Sequence, residues 1–221
     1  CPQLAGQRYN YYGMFVPELI EAQKRFITRL LAHRNPYTGL TLAEDPVLAL
    51  IIFHNENSML YQPNRNRITS PYALKILKDR FNAYLVQKYG NRNALKKAWK
   101  TLNDAEDPAR GSVELPMNPS GKQYSLRRLA DMRLFYYEIQ KSYYHEIRTH
   151  LKKLGVRVPM TGSNHWTRDP LDFELNAQLD YTDRHNYWSH PTASGSWLLE
   201  NILFAPNPMI LSPDGGLIGT L

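Results

Sequence analysis

A glutamate that directly follows an apolar run is the residue best placed to do chemistry in this sequence. The segment from Val47 to Phe53 is continuously hydrophobic, and His54-Asn55-Glu56-Asn57 comes straight after it. A carboxyl group at the tip of a buried strand is expected to be partly shielded from water, which suits a general acid working near neutral pH. The neighbouring Asn55 can hydrogen-bond a sugar hydroxyl. On these two residues alone, a catalytic pair and a plain polar turn remain equally open.

Two more polar and aromatic clusters follow predicted strands. Ser163-Asn164-His165-Trp166 comes after a candidate strand at 156–161, and Asp183-Arg184-His185-Asn186-Tyr187-Trp188 closes one at 179–185. Ligand sites in α/β folds lie at the carboxyl ends of parallel strands, so the three clusters predict one shared cleft. The flat apolar faces of Trp166 and Trp188 suit the C–H surface of a pyranose ring.

Helical and extended segments alternate along the chain and have to position these clusters. Apolar residues recur at helical spacing in five segments, which are 17–33, 71–89, 93–102, 126–154 and 170–176. Gly155 is a stop signal for the longest of these helices. The unbroken apolar run at 47–53 is typical of a parallel strand covered on both faces. The alternation as a whole predicts an α/β fold, a parallel sheet with crossover connections.

In these motifs and their order, the chain resembles a clan of retaining glycoside hydrolases, similar to cellulases and β-galactosidases. In that clan the acid/base Glu follows an Asn at the end of the fourth strand of a (β/α)8 barrel. The similar segments are Asn35-Pro36-Tyr37-Thr38-Gly39, Asp45-Pro46, Asn55-Glu56-Asn57-Ser58, Lys88-Tyr89-Gly90 with Leu95 and Ala98-Trp99, and Asp183-Arg184-His185-Asn186-Tyr187-Trp188. The resemblance implies an incomplete TIM barrel, about its fourth to sixth strands with their helices. It also implies one partial catalytic domain over 1–221, with a helical and loop excursion at about 60–125.

The resemblance implies roles for individual residues. Glu56 would be the general acid in glycosylation and the general base in deglycosylation, and Asn55 would hold the 2-hydroxyl of the sugar being cleaved. His185 and Tyr187 would line the same subsite, with Tyr187 hydrogen-bonding the nucleophile. The loops themselves suggest further substrate-binding residues, which are Asn164, Trp166, Trp188 and His190.

The second catalytic glutamate of the clan has no convincing counterpart in this sequence. A retaining mechanism needs that nucleophile about 5–5.5 Å from the acid/base. Glu200 lies in a segment typical of a loop, and Glu174 lies in a helical stretch. Asp180 and Asp183 fall on the third candidate strand, where the clan uses neighbouring positions for structure. The residue types and their order therefore supply an acid/base but no nucleophile.

The strand count leads to two expectations about the nucleophile. Either the chain starts after the third barrel strand and stops before the seventh, or the protein is a noncatalytic carbohydrate-binding barrel that has lost the nucleophile. In the first case the nucleophile lies beyond Leu221, a parent chain or partner supplies the missing strands, and this piece alone is inactive. We expect a carbohydrate substrate in both cases.

Composition narrows the other classes of function. No apolar stretch reaches the roughly 18 residues of a membrane span, so no span is expected. The net charge of +7 is spread over helical segments that also carry acidic residues, which favours solvated helix faces over a nucleic-acid partner. A basic nucleic-acid-binding module is the distant alternative. The single cysteine excludes an internal disulfide and leaves the compartment open, with a secreted or periplasmic enzyme as our expectation.

No cofactor or metal is expected either. His145-Glu146 and His150 resemble a zinc-protease motif, but the two histidines are five residues apart instead of four. On a helix, that spacing turns the imidazoles away from each other. His185 and His190, with Asp183, are better explained by substrate contact or by structural hydrogen bonds.

Overall fold

The computed structural model of the protein describes residues 2–6, 11–61, 65–117, 124–164 and 169–185. These residues form five α-helices and two short strands. The helices are α1 Pro17–Leu31, α2 Pro71–Tyr89, α3 Arg92–Trp99, α4 Leu126–Lys153 and α5 Pro170–Ala177. The strands are β1 Ile51–His54 and β2 Met160–Ser163, and Pro2–Leu4 and Pro108–Arg110 are single 3-10 turns.

Local capping chemistry fixes where most of these helices begin. The side chain of Asn91 accepts the Ala94 N–H at the start of α3, and Ser125 accepts the Arg128 N–H at the start of α4. Asp169 does the same for the Leu171 N–H at the start of α5. Such caps satisfy backbone donors that have no partner inside the helix. The chain leaves α4 through Gly155 at φ +87°, a conformation that glycine adopts without steric cost.

The two strands pair in parallel. Ile51 lies opposite Met160, Ile52 opposite Thr161 and His54 opposite Ser163. Because the register is even and the strands run in the same direction, the residues that follow them, Asn55 and Asn164, leave the sheet at the same end. The connection between the strands contains α2, α3 and α4.

Helix α4 lies at the centre of the core. Phe135 of α4 packs on Phe81 of α2, with ring centroids 5.1 Å apart, and Tyr144 packs edge-on against Phe53 of β1 at 5.7 Å. Gly162 of β2 lies against the same tyrosine, where an added Cβ would come within 2.2 Å of the Tyr144 ring. The helix therefore approaches the sheet more closely than any larger residue at 162 would permit.

A buried ion pair attaches α4 to the loop that precedes it. Arg128 and Glu106 form a bidentate pair at 2.6 and 3.0 Å, both almost fully buried. Burial alone would raise the pKa of Glu106, but the Arg128 guanidinium together with the Asn103 and Glu114 backbone N–H groups outweighs that effect and holds the pKa below its ordinary value. Two hydrogen bonds in fixed geometry make this pair a strong link between α4 and the loop before it.

The helix predictions are confirmed. Every predicted helical segment contains a helix, and α2 has the predicted bounds of 71–89. Helices α2 and α3 both fall inside the predicted excursion at about 60–125. The strand predicted at 47–54 begins only at Ile51. The turn at Asp45-Pro46 continues to residue 48, because the Leu48 N–H donates to the Asp45 carbonyl. Val47 and Leu50 are consequently exposed, at 74% and 48%.

The predicted α/β class, an incomplete (β/α)8 TIM barrel with its fourth to sixth strands, is wrong. The described residues form an α-rich small domain with a single two-stranded sheet. The third candidate strand, 179–185, is irregular. Asp180 explains the difference, because its N–H bonds the Met160 carbonyl and its carboxylate accepts the Met160 N–H, both at 2.9 Å. The segment thus caps the start of β2 instead of extending the sheet.

No helix of the described residues combines the length and the apolar character that a membrane span requires.

Candidate functional site

The backbone of Glu56 is in an unusual conformation. Its φ is +44°, and among the described non-glycine residues only Lys100 shares a positive φ. An L-residue in this region has its Cβ too close to the next carbonyl, which costs about 1–2 kcal/mol. Such a conformation persists where the surroundings enforce it, and it is concentrated at functional sites.

Asn164 is the residue that holds the backbone of Glu56. It is buried directly after β2, and its Oδ1 accepts the Glu56 N–H at 2.8 Å. Its Nδ2 donates to Asn55 Oδ1 at 3.2 Å, and its carbonyl accepts the His185 N–H at 3.1 Å. One buried asparagine therefore ties together the exits of both strands and the segment that follows α5.

The side chains of Glu56 and His185 meet above Asn164. His185 Nδ1 lies 2.7 Å from Glu56 Oε1, and the two side chains are 32% and 45% exposed. The sequence suggested partial shielding of the Glu56 carboxyl, and 45% of that side chain is open to solvent in the structure. The pair is accessible to a ligand, and one carboxyl oxygen is fixed by the imidazole.

A buried polar layer lies beneath this pair. Ser58 and Met59 are almost fully buried, as are Gln140 of α4 and Asp172 of α5. Gln140 accepts the Met59 N–H at 2.7 Å, and Ser58 Oγ lies 3.0 Å from Asp172 Oδ1. The sequence pattern did not predict this layer. The available signal was Gln140 itself, a polar residue on an otherwise apolar face of the longest helix.

Two partly buried side chains near the strand ends have unusual surroundings. Burial lowers the pKa of His54 from 6.5 to about 4, and its Nε2 has no hydrogen-bond partner among the described residues. The guanidinium of Arg184 stacks over Phe173 of α5 at 4.2 Å and donates to the Asp183 carbonyl. Both residues adjoin the site, and neither contacts Glu56 in the part of the chain that the structure describes.

The structure brings together four of the eight residues that the sequence singled out, namely Asn55, Glu56, Asn164 and His185. The other four lie outside the described residues, so their assignments stay predictions; they are Trp166, Tyr187, Trp188 and His190. Among the described residues no group of three or more His, Cys, Asp or Glu side chains is arranged to hold a metal. His150 instead bonds Thr28 Oγ1 at 2.9 Å and joins α4 to α1.

Comparison with known proteins adds nothing to this geometry. No family model, curated protein or solved structure matches the chain. The function of the chain therefore has to be inferred from the chemistry of the site.

The chemistry available at the site is proton transfer and hydrogen bonding. A carboxyl group and an imidazole in direct contact can hold and pass a proton at an accessible position. Asn55 contributes an amide whose Oδ1 faces Asn164, which turns its Nδ2 donor away from that partner. This combination fits a polar substrate with hydroxyl groups better than an apolar one.

Two clefts among the described residues lie away from Glu56. A cleft of about 500 Å³ runs between α4 and α5 and is lined by Lys141, His145, Glu146 and Arg148 among others. A second, of about 380 Å³, lies between α1 and His150. The first mixes acidic and basic side chains, the second is lined by Lys24, Arg25 and Arg29 with a single acidic residue, Glu21, and neither includes Glu56.

Proposed function

We propose that this chain carries the acid/base centre of a glycosidase that cleaves β-linked glycosides with retention of configuration, with Glu56 as the acid/base. The observation that carries the proposal is the 2.7 Å contact between Glu56 Oε1 and His185 Nδ1. It unites two residues that the motif resemblance assigns to one sugar subsite. The proposal requires a fixed carboxyl group beside hydroxyl-binding side chains, and it does not require a barrel.

Glu56 acts twice in the proposed reaction. It first donates a proton to the departing glycosidic oxygen, and later it takes a proton from the water that attacks the glycosyl-enzyme. His185 fixes Oε1, so Oε2 is the oxygen assigned to proton transfer. Asn55 is assigned to the sugar 2-hydroxyl, where a hydrogen bond strengthens as the transition state forms.

A noncatalytic carbohydrate-binding role is the second candidate. It is supported by the fact that two other carboxylates, Asp180 and Glu174, already have partners. Asp180 is bound to Arg148 at 2.6 Å and to the Met160 N–H, and Glu174 hydrogen-bonds Gln178. Both carboxylates have structural partners and make poor nucleophiles. The nucleophile therefore remains unassigned, and a site that binds sugar without cleaving it is the natural competitor.

The decisive experiment compares leaving groups in the complete natural polypeptide. Glu56→Gln is expected to lower the rate of cleavage of unactivated β-glycosides by about 10²–10⁴-fold, the usual contribution of a positioned acid. Aryl glycosides with good leaving groups need little protonation and should lose much less. Glu138→Gln, on an exposed turn of α4, is the matched control and should cleave both substrates normally.

A second arm tests the base role and separates the two candidates. In Glu56→Ala, added azide should accelerate turnover of an activated aryl β-glycoside and give a β-glycosyl azide, because azide needs no general base. Equal loss on both substrate types with no azide product would remove Glu56 as acid/base. Oligosaccharide binding without any cleavage by the wild-type protein would establish the noncatalytic role instead.

A further inference from the structure

We infer that Gln140 and Asp172 are positioning residues that fix Glu56 against His185 from beneath. They clamp the chain two and three residues after Glu56, in the segment 55–60, called here the Glu56 loop. The catalytic consequence of this inference rests on the proposed function. The geometric part, the position of the Glu56 carboxyl, does not.

Gln140 is the first half of the clamp. Its Oε1 accepts the Met59 N–H at 2.7 Å, while its Nε2 donates to Asp172 Oδ1 at 3.1 Å and to the Tyr144 hydroxyl at 2.9 Å. The Met59 N–H can only donate, so the orientation of the amide is determined and both of its ends are used. A fully satisfied buried amide holds its neighbours in one arrangement.

Asp172 is the second half. Ser58 Oγ donates to Asp172 Oδ1 at 3.0 Å, and the same hydroxyl accepts the Leu60 N–H at 3.1 Å. Ser58, Gln140 and Asp172 are all at most 1% exposed. Hydrogen bonds to a carboxylate in such surroundings are stronger than those between neutral groups. The Glu56 loop is thereby tied to α4 and α5 at once.

Helix α5 also holds the other strand exit. Asn176, one turn after Asp172, accepts the Ser163 N–H at 3.1 Å and donates to the Asp172 carbonyl. Ser163 precedes Asn164, which holds the Glu56 N–H. The backbone of Glu56 is therefore fixed on both sides, through Asn164 and through the Ser58–Met59 clamp, and α5 is the element common to both.

These contacts account for the positive φ of Glu56. A chain that has to meet Asn164 at residue 56 and Gln140 at residue 59 has little freedom between those points. A hydrophobic residue at 140 would leave the Met59 N–H and the Asp172 carboxylate without this partner in a buried site, which costs free energy. The amide is useful there because it meets the backbone of the Glu56 loop.

The test measures the Glu56–His185 contact directly, by the nitrogen chemical shift of His185 Nδ1 in the complete natural polypeptide. Glu56→Ala supplies the reference shift for the broken contact. Gln140→Met conserves volume but removes the clamp, and it should move the signal most of the way to that reference. Ser58→Ala is a milder change that removes one hydroxyl, and it should move the signal in the same direction. It replaces Gln140→Met as the test variant if Gln140→Met does not fold.

Asn82 provides the matched control. It is a buried amide on α2 that clamps Val113 in the same way, with its Nδ2 on the carbonyl at 2.9 Å and its Oδ1 on the N–H at 3.0 Å. Asn82→Leu should cost stability and leave the His185 signal in place. The inference is overturned if the His185 signal does not move in Gln140→Met. If only Ser58→Ala folds, an unmoved signal in that variant overturns it. An equal shift in Asn82→Leu does so too.

Kinetics then separate this inference from the proposed function. If both hold, Gln140→Met lowers kcat on unactivated glycosides by about tenfold to a hundredfold, as misplacing a catalytic group does, with little change in KM. If the wild-type protein cleaves no glycoside but the His185 signal moves as expected, the proposed function fails and the positioning role stands. If the wild-type protein cleaves glycosides but Gln140→Met keeps both normal cleavage and an unmoved His185 signal, only the positioning role fails.

Discussion

His185 Nδ1 and Glu56 Oε1 lie 2.7 Å apart although 129 positions separate the two residues in the chain. Asn164 makes this contact possible, because it accepts the Glu56 N–H and its carbonyl accepts the His185 N–H. The parallel pairing of β1 with β2 brings Asn164 to that point. The contact is thus a product of the tertiary structure, formed by three segments far apart in sequence.

The backbone strain at Glu56 predicts an inverted preference between glycine and alanine. Both Glu56→Gly and Glu56→Ala delete the carboxyl, but only glycine accepts φ +44° freely. Glu56→Gly should therefore be more stable than Glu56→Ala by about 1 kcal/mol, measured by chemical denaturation. At Glu138, inside α4, glycine should instead be less stable than alanine by about 1 kcal/mol. The same sign at both positions would show that Glu56 is unstrained.

The lowered pKa of His54 predicts a loss of stability in mild acid. Burial keeps the imidazole neutral in the folded protein down to pH about 4, whereas in the unfolded chain it takes up a proton near 6.5. Because the unfolded state binds more protons over this interval, stability should fall by about 1.4 kcal/mol per pH unit at most as the pH drops. Above pH 6.5 this contribution is constant.

His54→Phe should flatten that pH dependence, because it keeps a ring against Tyr143, 5.1 Å away, and removes the titrating group. The free energy of unfolding between pH 4 and 7 is the quantity to measure. His33→Phe, at an exposed position, is the control and should retain the wild-type slope. A slope unchanged in His54→Phe would assign the acid sensitivity to other groups.

The close approach of Gly162 and Tyr144 predicts overpacking in a simple variant. Gly162→Ala places a methyl group within 2.2 Å of the Tyr144 ring, so the ring must move away from Phe53 and Gln140. We expect a loss of about 1–3 kcal/mol, the usual cost of an overpacked core. In a Tyr144→Leu background the same change should cost much less. Additive losses in the double variant would contradict the contact.

The buried pair of Arg128 with Glu106 predicts a large and pH-dependent penalty. Arg128→Met leaves the Glu106 carboxylate buried without its cation and should cost about 3–5 kcal/mol near neutral pH. The pair holds the pKa of Glu106 low, so the wild-type protein loses this stabilisation as pH falls through that lowered value. Protonation relieves the variant instead, and the difference between the two proteins should narrow in acid.

An exposed ion pair supplies the comparison. Lys75 and Asp79 form an i,i+4 pair on α2 with both side chains mostly in solvent. Lys75→Met should cost less than about 0.5 kcal/mol, with little pH dependence. If both substitutions cost the same, burial would not be the source of the Arg128 effect.

The sequence by itself determined the helices, and it singled out four residues that the structure brings together. Helical hydrogen bonds join residues four apart, so spacing and capping residues such as Ser125 and Asp169 carry the information locally. The restriction of β1 to residues 51–54, and the irregular course of 179–185, could not be determined this way. A strand needs a distant partner, and local hydrophobicity does not say whether that partner is present.

Only the tertiary structure decided how Glu56 is held. Its positive φ, the bond from Asn164 and the buried clamp from Gln140 and Asp172 depend on contacts between residues about 80 to 110 positions apart. Residue types near Glu56 indicated which groups could do chemistry. The position of each group was set by packing α4 and α5 against the strand exits, because buried amides and carboxylates must find partners wherever the folded chain offers them.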